Sequence, residues 1–285
     1  MAGMSTVAKI STNVRFWANR TLARVSPAEA DRRAVDQWST PFRRMPPSAP
    51  PGKPFRISSG LYQLSAWDEG EGPTVLLVHG WNGHTGQMRA FVEPLLAAGY
   101  HVVGFDQPAH GGSSGDRANL VAMVEAVRAV AWRVRPLHAV IAHSLGATAV
   151  ALALTQDVRV ERAVLMAPPV EMTHHVRGFA KAMGFSPEGM LRELRHTLGT
   201  DLDSFDLRRH APAHRTPILV LHDPDDKEVP FAPARAFAEI WPDTELQTVA
   251  GAGHRRMLAN PEVVSAATEF VNGSAAISSV SAKAS

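Results

Sequence analysis

With 285 residues, 29 lysines and arginines against 27 aspartates and glutamates, and no cysteine, the chain is long enough for one full α/β domain with an insertion. Its charge is too even to mark a nucleic-acid binder, and disulfides, thiolate metal sites and cysteine nucleophiles are excluded. No apolar run reaches the roughly 18 residues of a membrane span, so any chemistry falls to serine, histidine, carboxylates and the backbone.

The N-terminal stretch is basic at Lys9, Arg15, Arg20 and Arg24 but lacks the apolar segment and cleavage pattern of a secretory leader, so the mature chain is expected to begin near Met1 and to be cytoplasmic. Val7, Ile10, Val14 and Trp17 fall on one face of a predicted helix, and Ser26-Pro27-Ala28-Glu29 has the form of a capping box with proline in the first helical position. Two short helices are therefore predicted ahead of the main body. The first has no acidic residue before Glu29 and suits either docking on its own domain or contact with a membrane surface. Pro41, Pro46, Pro47, Pro50, Pro51 and Pro54 predict a linker without regular structure.

Strand and helix signals then alternate: strands at Leu61 to Trp67, Thr74 to His79 and His101 to Phe105, with a helix at Met88 to Ala98 interrupted at Pro94. The rhythm continues through a helix at Asn119 to Arg133, a strand at Leu137 to Ala142, a helix at Ala147 to Thr155 and a strand at Ala163 to Met166. This predicts the α/β class, a mostly parallel twisted sheet flanked by helices. After Ala167-Pro168-Pro169 the pattern breaks for about 45 residues, read as a short helical cap inserted into the sheet. Strand Ile218 to Leu221, helix Ala234 to Trp241, strand Glu245 to Val249 and helix Pro261 to Val271 complete the body, and the Ser/Ala-rich end reads as disordered. The expected organisation is a helical arm and linker at 1–54, a core at 55–168 and 213–272, a cap at 169–212 and a tail at 273–285.

Three segments carry chemistry. Ala142-His143-Ser144-Leu145-Gly146 stands where a strand ends and a helix begins, in a reversal so tight that small residues must flank the serine. Such a turn holds the hydroxyl clear of the sheet, beside amide donors and the positive end of the helix. Taken alone, the segment also reads as a helix-capping serine. His222-Asp223-Pro224-Asp225-Asp226-Lys227-Glu228-Val229-Pro230 follows another strand, a solvated acidic turn being its plainer reading. Gly251-Ala252-Gly253-His254 follows the next, with small residues that let a loop swing an imidazole toward the serine.

From about Thr74 to Val271 these segments resemble the α/β-hydrolase family, in its order of serine, aspartate, histidine. The first is similar to the family's nucleophile elbow, with Ala142 where glycine is usual. The second resembles its His-Gly-x-x-Asp-x-x-Val-Pro loop, with Asp223 for the glycine and a register that selects Asp226 over the neighbouring Asp225. His79-Gly80-Trp81 resembles its oxyanion loop. Phe105-Asp106-Gln107-Pro108-Ala109-His110-Gly111-Gly112-Ser113 resembles a loop that supports the fold rather than the chemistry. The resemblance implies the α/β-hydrolase fold, Ser144 as nucleophile, His254 as base, Asp226 as supporting acid, the backbone amides of Trp81 and Leu145 as oxyanion hole, and no cofactor. His84, Met172, Phe179 and Met183 are candidate pocket residues, packing being the plainer reading of each.

The roles imply a serine hydrolase, carboxylesterase-like, acting on a small to medium ester through an acyl-enzyme. An acyltransferase, a lactone or thioester hydrolase, and a catalytically silent binding protein of the same fold remain alternatives, since fold does not settle reaction. His110 to Gly115 lacks the strand and helix context of a phosphate loop, and neither His79 with His84 nor His174 with His175 has a second ligand pair at a diagnostic spacing, so no metal site is expected. The expected partner is a small-molecule ester. Nucleic acid is not expected, a weak membrane-surface contact through the N-terminal helix stands as the alternative to its docking on the domain, and the sequence sets no oligomeric state.

Overall fold

A computed structural model of the chain describes residues 6–42, 50–210 and 215–273. It divides into an α/β unit, Pro41–Val170 with the chain from His210, and a helical unit, the chain up to Thr40 with Glu171–Arg209.

The α/β unit holds one sheet of eight strands, ordered β1-β2-β4-β3-β5-β6-β7-β8. The strands are β1 Lys53–Ser59, β2 Tyr62–Glu69, β3 Thr74–Val78, β4 His101–Phe105, β5 Leu137–His143, β6 Val160–Met166, β7 Ile218–His222 and β8 Thr244–Thr248. β1 and β2 pair antiparallel, as do β2 and β4, and every pair from β4 to β8 is parallel. Every residue of β3 and β7 is buried, as expected of parallel strands covered on both faces. Val75, Leu77, Ile141, Val164, Met166, Leu219 and Leu221 share one face and cluster with Phe91 and Leu95 and with Val263, Ala267 and Phe270 of the last helix. The intervening residues point to the other face, where helices Leu120–Val134 and Leu145–Leu154 pack on the sheet and on each other. All ten residues of Leu145–Leu154 are buried, which is why this helix is apolar on every side. β3 has β4 on one side and β5 on the other, so the chain leaves it in opposite directions. Such a switch point opens a crevice at the carboxyl ends of the strands, where His79-Gly80 and Ser144 emerge.

The structure departs from the sequence reading at several places. Pro54, expected in the linker, lies in β1 opposite Trp67. β1 is an edge strand, where a missing N–H need not interrupt the ladder. Pro46 and Pro47 lie outside the described residues, as does the chain beyond Gly273. The helix expected from Met88 begins as a 3-10 turn, Thr85–Phe91, and becomes α-helical only at Val92–Ala97. Pro94 stands in its first turn, where its N–H is not required.

The helical unit brings the N-terminal arm and the insertion together. Its helices are α1 Thr6–Val25, α2 Pro27–Ser39, Met172–Met183 and Pro187–Leu198. α2 packs on Pro187–Leu198 so closely that a Cβ on Gly189 would stand 2.0 Å from the Asp31 carboxylate, and Arg192 pairs with Asp31 at 3.2 Å. The sequence reading separated the arm from the cap, because helix-to-helix contacts between residues this far apart leave no local sign. Ser26 does cap α2, but without a side-chain hydrogen bond. Its N–H already donates to Leu22 O at 2.8 Å, and Glu29 pairs with Arg32, so the capping box is not closed.

Candidate active site

β5 runs without pause into the helix Leu145–Leu154, and Ser144 takes the reversal at φ 52°, ψ −131°, a region that non-glycine residues rarely adopt. Its N–H is anchored on Met166 O at 2.8 Å, and its carbonyl accepts from Ala147 and Thr148. The strain is held by contact on both sides. A Cβ on Gly146 would stand 2.2 Å from His79 O, and one on Gly80 would stand 2.8 Å from Ser144 Cβ. Only glycine allows the helix, the elbow and the end of β3 to approach this closely. Ala142, where the resemblance has glycine, is buried in the strand and its methyl is accommodated.

Ser144 Oγ lies 2.9 Å from His254 Nε2, and His254 Nδ1 lies 2.8 Å from Asp226 Oδ2. The other Asp226 oxygen accepts from the amides of Glu228 at 2.7 Å and Val229 at 3.1 Å. Burial works against the Asp226 charge, but the His254 hydrogen bond and the two amides outweigh it and bring the carboxyl down to about 2. A carboxylate acceptor at Nδ1 selects the tautomer with its proton there, so Nε2 faces Ser144 Oγ as a base. Asp225 is exposed and lies outside this line.

Two further groups hold the loop that carries His254. Asp223, buried, accepts from Gly253 N at 2.6 Å through Oδ2, and from Asp225 N at 3.0 Å and Gly251 N at 3.3 Å through Oδ1. The acid loop is thereby tied to the histidine loop one residue before the imidazole. His143, also buried, places Nε2 at 2.8 Å from His254 O. Burial, aided by the neighbouring His254, lowers its pKa to about 3, so it is neutral and its Nε2–H donates to that carbonyl.

His79, fully buried and lowered to about 4 chiefly by burial, donates from Nδ1 to Gly80 O at 2.7 Å and accepts from Gln107 N at 2.9 Å. The Gly80–Trp81 peptide is planar and trans, so fixing its carbonyl also fixes the Trp81 N–H in the opposite direction. Asn82 N donates to His110 Nε2 at 3.1 Å, and the Trp81 ring meets His110 edge to face. Asp106 accepts from Thr85 N and Gly112 N, and Ser113 Oγ donates to Asp106 O. The first bond ties the Phe105-to-Ser113 loop to the start of the 3-10 turn and the other two close the loop on itself, a structural use.

A cavity of about 370 Å³ opens beside Ser144 and His254, with Gly80, Trp81 and Leu258 in its wall and Asn82, Gln87, Glu228 and Arg255 as polar lining. Arg255 Nη2 and Glu228 Oε2 pair at 2.9 Å. His84, a candidate pocket residue, is buried at the start of the 3-10 turn and does not line this cavity. Met172, Phe179 and Met183 belong to the helical unit, where Met172 is buried and Phe179 packs edge-on against Trp38. Sequence reasoning passed over His143 and left Asp223 only as a departure from pattern. The one signal for Asp223 was that an acid replaced a glycine in a loop already rich in acids.

Residues 72–205 match the family model described as serine aminopeptidase, S33. A pimeloyl-[acyl-carrier protein] methyl ester esterase of Xanthomonas axonopodis pv. citri (strain 306) is 30% identical over 241 residues, covering 70% of this chain and 95% of that protein. Among solved structures, the esterase Pf2001 of Pyrococcus furiosus superposes with a TM-score of 0.65 at 22% identity, over 82% of this chain and 98% of its own. Est1E of Butyrivibrio proteoclasticus, solved with ferulic acid bound, gives a TM-score of 0.62 at 20% identity, over 77% and 96%. Both are similar to this chain in fold.

Proposed function

The chain belongs to the α/β-hydrolase family, and on that premise we propose that it is a carboxylesterase-like serine hydrolase cleaving a small to medium ester through an acyl-enzyme on Ser144. The observation that carries this reading is the continuous line from Ser144 Oγ through His254 to the Asp226 carboxylate. Its likeness to a methyl ester esterase supports an ester as the substrate.

In the reaction, Ser144 Oγ attacks the ester carbonyl carbon while His254 Nε2 takes the hydroxyl proton. The imidazolium so formed is stabilised by Asp226, which remains ionised. The carbonyl oxygen becomes an oxyanion and is received by the amides of Trp81 and Leu145, the first oriented through His79 and the second at the start of a helix. One such donor is worth about 3 kcal/mol in the transition state. The tetrahedral intermediate collapses, the C–O bond to the alcohol breaks, and His254 passes its proton to the departing alkoxide. Water then attacks the acyl-enzyme, gives a proton to His254, and the acid leaves as Ser144 recovers its hydrogen. The cavity lies at the small end of the range for ligand pockets, and its lining is partly polar. This supports short to medium acyl groups.

Ser144→Ala is expected to lower kcat for p-nitrophenyl esters at least about a thousandfold, to end labelling by a fluorophosphonate, and to leave Tm unchanged. A folded variant within tenfold of the parent would overturn the assignment. Across acyl chains from two to sixteen carbons, kcat/KM should peak among the short to medium esters. A peak at the longest chains with interfacial activation would overturn the size class, and faster cleavage of an amino-acid p-nitroanilide would overturn the ester.

A further inference from the structure

α1 is docked in the helical unit by the face that carries Asn19. That side chain is buried and donates from Nδ2 to Met183 O at 2.9 Å, and the Phe16 carbonyl closes on Gly184. Phe16, Leu22 and Ala23 beside it are half-buried, and the opposite face carries a second, exposed stripe. Val14, Trp17, Thr21 and Val25 recur three or four residues apart and so share one side of the helix. Val14, Trp17 and Val25 are 63%, 59% and 80% exposed. An amphipathic helix in a protein ordinarily turns such a stripe inward, whereas α1 leaves it facing water.

The flanks of the stripe are cationic. Helical spacing sets Arg15 on one side and Arg20 and Arg24 on the other, and none of them pairs with a carboxylate among the described residues. Arg20 lies over the Trp17 ring, 5.6 Å from its centroid, and α1 contains no acidic residue.

We propose that the outward face of α1 docks on an anionic membrane surface, with Trp17 at the level of the headgroups and the arginines on lipid phosphates. Charge selects this occupant. A second copy seated on the same stripe would set arginine against arginine across a two-fold contact, whereas an anionic leaflet neutralises them. Tryptophan, apolar in body with one polar N–H, is favoured at that boundary. No described helix is long and apolar enough to cross a membrane, so α1 lies in the plane of the interface.

The test is co-sedimentation of the full chain with vesicles of phosphatidylcholine and phosphatidylglycerol in a three-to-one ratio, against phosphatidylcholine alone. Binding is expected only to the anionic vesicles and should weaken as salt is added. Each arginine near such a surface contributes about a fivefold gain, so Arg15→Gln, Arg20→Gln and Arg24→Gln together should weaken binding about a hundredfold. Val14→Ser with Trp17→Ser and Val25→Ser should weaken it at least about tenfold. Both variants change exposed positions and should hydrolyse a soluble ester like the parent, which shows that they are folded. Equal binding to neutral vesicles, no binding at millimolar anionic lipid, or unchanged binding by either variant overturns the proposal. So does elution of the parent as a dimer that the serine variant dissolves, which would give the stripe to a second copy.

Discussion

Asp223→Asn is expected to loosen the catalytic base without touching it. The carboxylate is buried and accepts three amide hydrogen bonds, two through Oδ1 and one through Oδ2. Asparagine has the same shape but only one accepting atom. Whichever way its amide turns, either Gly253 N or the pair from Gly251 and Asp225 loses its acceptor and faces a donor. Hydrogen bonds to a charged group contribute about 1.5–3 kcal/mol each, so the loss of one should cost about 2 kcal/mol. For a chain of this size that is a fall of about 3–4 °C in Tm. Gly253 directly precedes His254, and displacements well under 1 Å at a base reduce rate, so kcat should fall about tenfold with KM little changed. Burial opposes the Asp223 charge, but the amides of Asp225, Gly253 and Gly251 together hold its pKa below the ordinary value. A lowered folded pKa contributes stability that is present above the unfolded value of about 4 and lost as pH falls through the folded one. The Tm gap between parent and variant should therefore be full near neutrality and close in acid. Thermal melts and kcat/KM on a soluble ester, both across pH, make the measurement. A variant matching the parent in Tm and kcat at pH 7 would refute the clamp.

Asp226→Asn should lower kcat/KM about 10³–10⁴-fold, by removing the acceptor that fixes the His254 tautomer, while Asp225→Asn stays within about twofold; the reverse ranking in steady-state kinetics would move the acid by one residue. Gly146→Ala sets a Cβ 2.2 Å from His79 O and should cost more than about 3 kcal/mol or abolish soluble folding, because the His79 backbone at the end of a buried strand has no room to yield; a variant with the parent's Tm would disprove the close approach. His143→Phe keeps the ring but loses the donor to His254 O, so kcat should fall about tenfold with KM held. Partial recovery in His143→Gln, which restores a donor, separates positioning of the base from simple packing.

The parts of this molecule that were legible in the sequence are those whose cause is local. Runs of four to six residues alternating with helical signals marked β3 to β8, and the turn at Ser144 advertised itself because a strand can pass into a helix so abruptly only through small residues. Ser144, Asp226 and His254 were named from loop register, and those three side chains are hydrogen-bonded to one another. What stayed hidden depends on contacts between loops. Nothing near Asp223 says that its oxygens meet amides at 251 and 253, and nothing near His143 says that it donates to a carbonyl at 254. β1 was hidden because Pro54 reads as a breaker until its place at the sheet edge is known. The docking of the arm was hidden as well, because it uses Asn19 on the Met183 carbonyl and Phe16 against Gly184, a fit that is geometric and invisible to periodicity.

The helix that follows Ser144 has no solvent-facing side at all, and this sets how the nucleophile responds to heat. The Ser144 amide, bonded to Met166 O and followed by ten buried residues, can exchange its hydrogen for deuterium only when the body of the protein opens. Its protection should equal that of the global core. His254 stands on a loop whose Ala252, Met257 and Leu258 are buried in the core and whose backbone is held by Asp223 and His143, so the base shares much of that protection. On slow warming the nucleophile stays in position until the fold itself fails.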